Sequence, residues 1–343
     1  MAINRTQMNA LLNRLEKPVQ KAFLEAFNKA RTFAKIKALV DAVQTGNVDQ
    51  IMSAIGIRES LYSGLTETVR NAYVQGGTAA IIADLPKRLA MEFNINNPRA
   101  ETWLRNRSSQ LITGDLIPQQ RAAIQVMLQE GMIKGKNPRS VALDIVGRIS
   151  ETGRRSGGVI GLTEQQAMYV SNMADDLYSW NAASERLNPV NPRYFNRKLR
   201  DRRFDKIVRE SMESGTPLPK ATREKIVARY SDRMLKHRGD TIGRTEALRA
   251  LNESSDEALR QIVDEGLAPK ESAVRIWRHS YSKDEREGHL MMDGQEAKLD
   301  EYFTNPLTGA MLRYPGDGPA SEAVNCRCWI EHSIDFAAVE LAA

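Results

Sequence analysis

A chain of 343 residues, 41% hydrophobic, 27% charged and 6% aromatic, has room for two or three domains with cores built from aliphatic side chains, which excludes a wholly disordered polymer. The net charge of +6 is unevenly spread: residues 193–249 hold 17 Lys and Arg against 8 Asp and Glu, a net of +9, so the remainder is close to −3. No run of roughly 18 apolar residues occurs, so no spanning helix is expected. The first ten residues are too polar for an ordinary signal peptide, and Cys326 and Cys328, one residue apart, would form only a strained disulfide. Synthesis in a reducing cytoplasm is therefore expected.

Residues 5–150 read as helices. Leu11, Leu12, Leu15, Val19, Phe23 and Phe27 recur at spacings of three and four and make one apolar stripe, which Pro18 should kink or divide. Gly46-Asn47, Gly76-Gly77 and Asn96-Asn97-Pro98 read as turns, with Ile51, Ile55, Leu61, Leu65 and Val69 continuing the helical pattern between them. A helix is expected over 118–130, with Pro118 in its first turn, and another from Asn137 to Ile149. The glycine-rich stretch 153–161 is the best linker candidate. A phosphate cradle is the alternative there, but no Lys-Ser or Lys-Thr follows and no apolar strand precedes it. If 153–161 is a linker, residues after it should fold as a separate fragment.

From Thr163 the helical pattern resumes, opened by the capping box Thr163-Glu-Gln-Gln166, with breaks at 188–192 and 215–219. The basic run begins here. Arg193, Arg197, Lys198, Arg200, Arg202, Arg203 and Lys206 are candidate contacts to double-stranded DNA through phosphates, and Tyr194, Phe195 and Phe204 among them could stack on exposed bases; the competing reading is a solvated amphipathic helix with its aromatics in a core. No sequence-reading DNA motif is present. After Pro269 the helical periodicity ends. Val274, Ile276 and Trp277 suggest a strand, and Gly, Pro, Asn and Asp become frequent. The expected fold is mainly α with a small α+β C-terminal module, divided as residues 1–160, a basic middle 161–268, the module 269–335 and a tail 336–343.

The module carries several chemically suggestive islands. His289 with Cys326 and Cys328 could bind zinc, completed by Asp284 or Asp293, since thiolate and imidazole suit that ion; the plainer reading is two reduced, buried cysteines on a final strand. A nucleophilic Cys–His pair with Asn325 or Asp293 is a further option. Upstream, Arg244 and Glu246 stand two apart on a helix and point to different sides, which suits a docking role by ion pairs.

The order Trp277, Asp284, Arg286, His289, Asp293-Gly294-Gln295, Phe303, Pro306, Tyr314-Pro-Gly-Asp317 and Asn325-Cys-Arg-Cys328 resembles the C-terminal domain of Mu F-like phage head morphogenesis proteins, and Arg244-Thr-Glu246 matches the signature such proteins carry just upstream. The resemblance covers about 240–332, and more loosely 93–135 and 161–166. It implies a minor head protein of a tailed bacteriophage, present in few copies inside the capsid and attached near the portal. Its implied partners are the portal and the major capsid or scaffold protein, and its implied task is head assembly, DNA packaging or DNA delivery, not catalysis. Two alternatives stand beside it: an enzymatic effector carried in the virion, and a cellular basic DNA-binding protein.

Overall fold

The computed structural model describes residues 5–86, 89–150, 153–177, 180–181, 186–187, 190–281 and 286–336. Asp284 lies outside the described residues. The fold is mainly α, with small antiparallel sheets gathered toward the C-terminus. Its contacts divide the chain into two units, one of Met1–Phe23, Gly64–Ser108 and Asp240–Ala343, the other of Leu24–Ser63 and Ser109–Gly239. This differs from the linear division expected at 160 and 268. Each unit is assembled from separated stretches, and two long helices, Arg5–Phe33 and Lys220–Asp264, contribute residues to both. Pro18 does not divide the first helix. It and Arg14 lie on the exposed side, where the carbonyl that loses its amide partner can be hydrated.

The unit of 24–63 and 109–239 packs the helices Ile36–Thr45, Val48–Ile55, Ile117–Ile133, Pro138–Val146 and Glu164–Leu177. Its buried core includes Phe27, Tyr62, Ile124 and Ile145, with the Phe27 and Tyr62 rings edge to face at 5.7 Å. The capping box forms as the sequence indicates. Gln166 N–H donates to Thr163 Oγ1 (3.3 Å), and Thr163 N–H donates to Gln166 Oε1 (3.1 Å).

Residues 153–161 are not a linker. Arg155–Ser156 pairs antiparallel with Arg148–Ile149, and Val159 and Ile160 are fully buried. Gly158 has φ +77°, and a Cβ there would lie 2.4 Å from Gly147 N, so the glycine serves close backbone packing, not mobility. The amides are already engaged. Gly157 N donates to Asp232 (3.0 Å), Val159 N to Ile145 O (2.8 Å) and Gly161 N to the buried Gln120 (2.5 Å), which leaves none of them for a phosphate.

In the other unit, helices Ser63–Asp84 and Pro98–Ser109 pack with the second half of Lys220–Asp264. Gly76 and Gly77, expected as a turn, lie inside Ser63–Asp84 and are buried. A Cβ on Gly76 would meet Leu251 Cα at 2.9 Å, and one on Gly77 would meet the Phe93 ring at 2.5 Å. These glycines let helix backbones and a ring approach closely, a tertiary use of a residue that costs about 1 kcal/mol of local helix propensity. Ala80, Ile81, Leu85, Ala258 and Ile262 form the apolar cluster beside them.

The C-terminal module completes this unit. Its three-stranded antiparallel sheet runs Glu296–Lys298, Val274–Arg278, Trp329–Ser333, with the central strand in the middle. A hairpin of Phe303–Thr304 and Met311–Leu312 and the short helices Glu287–Met291 and Ala320–Ala323 lie around it.

Candidate functional site

Glycine, proline and aspartate turns bend the C-terminal module back on itself, so residues far apart in sequence meet. Asp293 Oδ1 accepts from His279 N (2.8 Å), and Asp293 Oδ2 accepts from the Tyr281 hydroxyl (2.7 Å). The Gln295 side chain donates to Thr304 O (3.2 Å) and accepts from Thr304 N (2.9 Å), tying sheet to hairpin. Arg286 donates to Ser321 O and Val324 O, both at 2.6 Å. Phe303 and Trp277 are fully buried, with their rings 5.4 Å apart. The islands that looked chemical in sequence are thus largely the joints of one small scaffold.

The long helix fastens this scaffold, though not quite by the expected ion pairs. Arg244 donates to Asn325 Oδ1 (3.2 Å), and Asn325 N donates to Thr245 Oγ1 (3.2 Å). Glu246 instead turns to Arg107, which grips both carboxylate oxygens at 2.7 and 2.6 Å, and to Arg249 at 3.6 Å. Two residues to which the sequence reading gave no holding role, Arg249 and Asn252, do much of the holding. Arg249 donates to Gly316 O (2.7 Å). The fully buried Asn252 donates to Pro315 O (2.9 Å) and Cys328 O (3.2 Å) and accepts from Ile330 N (3.2 Å). A polar residue one turn beyond Leu248 in a helical pattern was the available signal, but a solvated face gives the same one.

At the centre of the module stands the His–Cys–Cys cluster. His289, Cys326 and Cys328 are 1%, 3% and 2% exposed. His289 Nδ1 is 3.5 Å from Cys326 Sγ and 3.8 Å from Cys328 Sγ, and Cys328 N donates to Cys326 Sγ (3.4 Å). His289 Nε2 meets Glu322 Oε2 at 2.7 Å; Glu322 also accepts from Asn305 Nδ2 (3.0 Å) and Thr308 Oγ1 (2.9 Å). The Trp277 ring closes one side, edge to face with the imidazole at 5.2 Å. The hydrogen bond from Cys328, with His289 adding to it against burial, holds the Cys326 thiol well below the usual thiol range. Cys328 is pushed up by Cys326 and by burial. Burial works to lower the His289 pKa, but Cys326 and Glu322 raise it above its ordinary value. Glu322 and Asn305 are members of this site that the sequence reading missed, and Asp293 and Asn325 do not join it.

The basic candidates lie in the other unit and divide by environment. Arg197 and Arg200 are mostly buried in ion pairs with Asp176 and with Asp205 (3.1 Å), so these two are structural cations, a correction to their reading as DNA contacts. Arg203 and Lys206 are exposed but paired with Asp201 (2.6 Å) and Glu210 (3.8 Å). Arg193, Lys198 and Arg202 are exposed and have no ionic partner among the described residues. Tyr194 is fully buried and cannot stack on a base. Phe195 is flanked by the Arg200 and Arg209 guanidinium groups at 5.7 and 5.2 Å. The stretch is two short 3-10 turns, Pro192–Asn196 and Arg202–Phe204, followed by the helix Asp205–Ser214, not one amphipathic helix; Asn191 and Asp201 cap the two turns and interrupt it.

One buried acid on the fastening helix gives a pH prediction. Glu253 is buried, with its Oε2 inaccessible to solvent, and its carboxylate has the Tyr314 hydroxyl as a hydrogen-bond partner that only partly offsets burial. Burial, helped by nearby Asp256, pushes its pKa up to about 7 from 4.5. Because the folded value exceeds the unfolded one, the native state loses stability as pH rises from 4.5 through 7. The loss is on the order of 3 kcal/mol once complete. Glu253→Gln should therefore match wild type near pH 4 and exceed it clearly at pH 8 in urea unfolding. An equal difference between the two proteins at both pH values would reject this origin.

A family described as Phage Mu protein F like protein matches residues 203–331, somewhat over a third of the chain. Searches among curated proteins and among solved structures find no match. The matched segment covers all but the first ten residues of the basic stretch 193–249, the long helix and nearly all of the module, including every described residue of the His–Cys–Cys cluster and of the Asn252 and Arg249 joints.

Proposed function

From the Phage Mu protein F like domain at residues 203–331, which associates the chain with phage head morphogenesis, we propose that the protein is a minor head protein of a tailed bacteriophage. It sits inside the capsid near the portal, with the portal and the major capsid or scaffold protein as partners, and assists head assembly, DNA packaging or DNA delivery. The observation that carries this reading is the domain match falling on one coherent scaffold, in which the matched islands hold each other. Mass spectrometry of purified virions, together with co-purification with the portal protein, tests it. Absence from virions whose other head proteins are detected would overturn it.

The second element of the proposal is contact with packaged DNA. Of the seven cations the sequence offered, Arg193, Lys198 and Arg202 have no ionic partner among the described residues and can neutralise phosphates. Binding should be weak and independent of sequence. The logarithm of the association constant should fall against the logarithm of salt with a slope of about −3, from about −0.9 per phosphate neutralised. The triple alanine variant at these positions should lose most of the slope with an unchanged melt. Binding insensitive to salt, or sharply selective for one sequence, would reject it.

The proposal assigns the His289, Cys326 and Cys328 cluster to structure, not to turnover. A nucleophile must meet its substrate, and both cysteines are only 2–3% exposed.

A further inference from the structure

We propose that His289 Nδ1, Cys326 Sγ and Cys328 Sγ bind one zinc ion inside the C-terminal module, with Glu322 as the positioning residue behind the histidine. The proposal is independent of the head-protein reading and rests on four features of the cluster.

The first is spacing. With Zn–S about 2.3 Å and Zn–N about 2.0–2.1 Å, a sulfur and a nitrogen on one tetrahedral zinc stand roughly 3.5–3.6 Å apart. The observed separations from Nδ1 are 3.5 and 3.8 Å, and all three ligand atoms lie within 4.8 Å of one another. The second is direction. Both sulfurs lie against the same ring nitrogen, so a single ion among them meets all three atoms.

The third is the far side of the imidazole. Nε2 meets the buried Glu322 carboxylate at 2.7 Å, and that carboxylate is held in turn by Asn305 and Thr308. A proton fixed on Nε2 leaves the Nδ1 lone pair aimed at the sulfurs. This carboxylate–histidine arrangement is the usual second layer of a zinc site. A buried cysteine pair that only fills space has no need of a carboxylate-oriented histidine. The fourth is the Cys328 amide donating to Cys326 Sγ, which stabilises negative charge on the first thiolate across the one-residue spacer. Cys-x-Cys is a shorter chelate than Cys-x-x-Cys; here the φ of +58° at Asn325 turns the chain just before the pair, and His289 comes from another element to complete the set.

The described residues supply three of the ligands. The ion would join the helix Glu287–Met291 to the segment before the strand Trp329–Ser333, in a module with short strands and a small apolar core of its own, where a metal contributes directly to folding.

Full-length protein, purified without chelator from zinc-supplemented culture, should carry about one zinc per chain by elemental analysis. His289→Ala, Cys326→Ser and Cys328→Ser should each lower occupancy to a small fraction. Since these variants can also misfold, Glu322→Gln provides a second arm. It keeps the three ligands, and its zinc affinity in chelator competition should fall about 10- to 100-fold. In a third arm, wild type stripped by chelator and titrated with cobalt(II) should develop the thiolate-to-cobalt charge-transfer band of a tetrahedral site. Wild type that holds no zinc as purified and develops no such band, while its melt ignores added zinc, overturns the proposal. So does an unchanged zinc affinity in Glu322→Gln, as regards the positioning role.

Discussion

Arg275→Met should unfold the C-terminal module or come close to it, although the substitution places an apolar side chain in a strand. Arg275 is fully buried. Its Nη1 donates to Asp256 Oδ1 (2.9 Å) and Arg313 O (2.7 Å), and its Nη2 donates to Lys298 O (2.6 Å) and Glu301 O. The guanidinium also lies over the Phe303 ring at 5.5 Å. One side chain thus joins the long helix, the central strand, the turn after the edge strand and the Tyr314 turn. Methionine matches much of the volume but leaves three carbonyls without this donor, at about 1–3 kcal/mol each, and Asp256 with Arg260 alone. The expected loss is at least about 4 kcal/mol, a large share of an ordinary domain's stability. Arg275→Lys should recover little, because a single ammonium cannot reach four acceptors spread across a planar fork. Urea unfolding followed by tryptophan fluorescence reads both variants. A loss below about 1 kcal/mol for Arg275→Met, a typical surface value, would show that the carbonyls find other donors.

Deletion of residues 1–160 should also abolish cooperative folding of the module. This reverses the expectation that a fragment after the glycine-rich stretch folds alone. The unit that contains the module also contains Met1–Phe23 and Gly64–Ser108. Arg107 neutralises Glu246, whose side chain is 2% exposed. Arg99 neutralises Glu257, 3% exposed, at 2.9 and 3.1 Å. Arg327 of the Asn-Cys-Arg-Cys segment pairs with Glu16 at 3.1 Å, and Trp103 donates to the Tyr314 hydroxyl at 3.2 Å. Removing one partner of a buried pair costs about 3–5 kcal/mol. That figure applies to Glu246, stripped of Arg107; the loss of the half-exposed Arg99 from Glu257 and the exposure of Ala258, Ile262 and Ala268 once Ala80, Ile81 and Leu85 are gone add to it, a large share of an ordinary domain's roughly 5–15 kcal/mol. The 161–343 fragment should show no sharp thermal transition by circular dichroism and should be cut rapidly by protease. Arg107→Ala in the full chain should lower the melt on its own through the Glu246 charge. A fragment that melts sharply within a few degrees of the intact protein would refute the argument.

The sequence by itself determined what depends on near neighbours. The apolar stripe from Leu11 to Phe27, the Thr163–Gln166 box, the break at 215–219 and the change of character after Pro269 all follow from periodicity, capping and turn chemistry within a few residues. The order of short islands from Trp277 to Cys328 was legible in the same way, and it pointed to the family whose profile covers 203–331. What the sequence could not determine depends on partners distant along the chain. Val274, Ile276 and Trp277 suggest a strand from sequence, yet the structure fully buries Arg275 beside Trp277 and leaves Val274 and Ile276 half-buried, because only folding brings Asp256 and three carbonyls around one guanidinium. The same reason governs Gly76, which packs on Leu251, and Gly158, which packs on Gly147; in sequence, a glycine for close approach and a glycine for a turn look alike. Of the seven cations proposed for DNA, the fold pairs four with carboxylates, a decision made by three-dimensional proximity that composition does not contain. His289, Cys326 and Cys328 could be named from residue type alone. Their distances, their burial and the carboxylate of Glu322 behind the histidine come from tertiary structure, since side chains from separate elements meet only through packing.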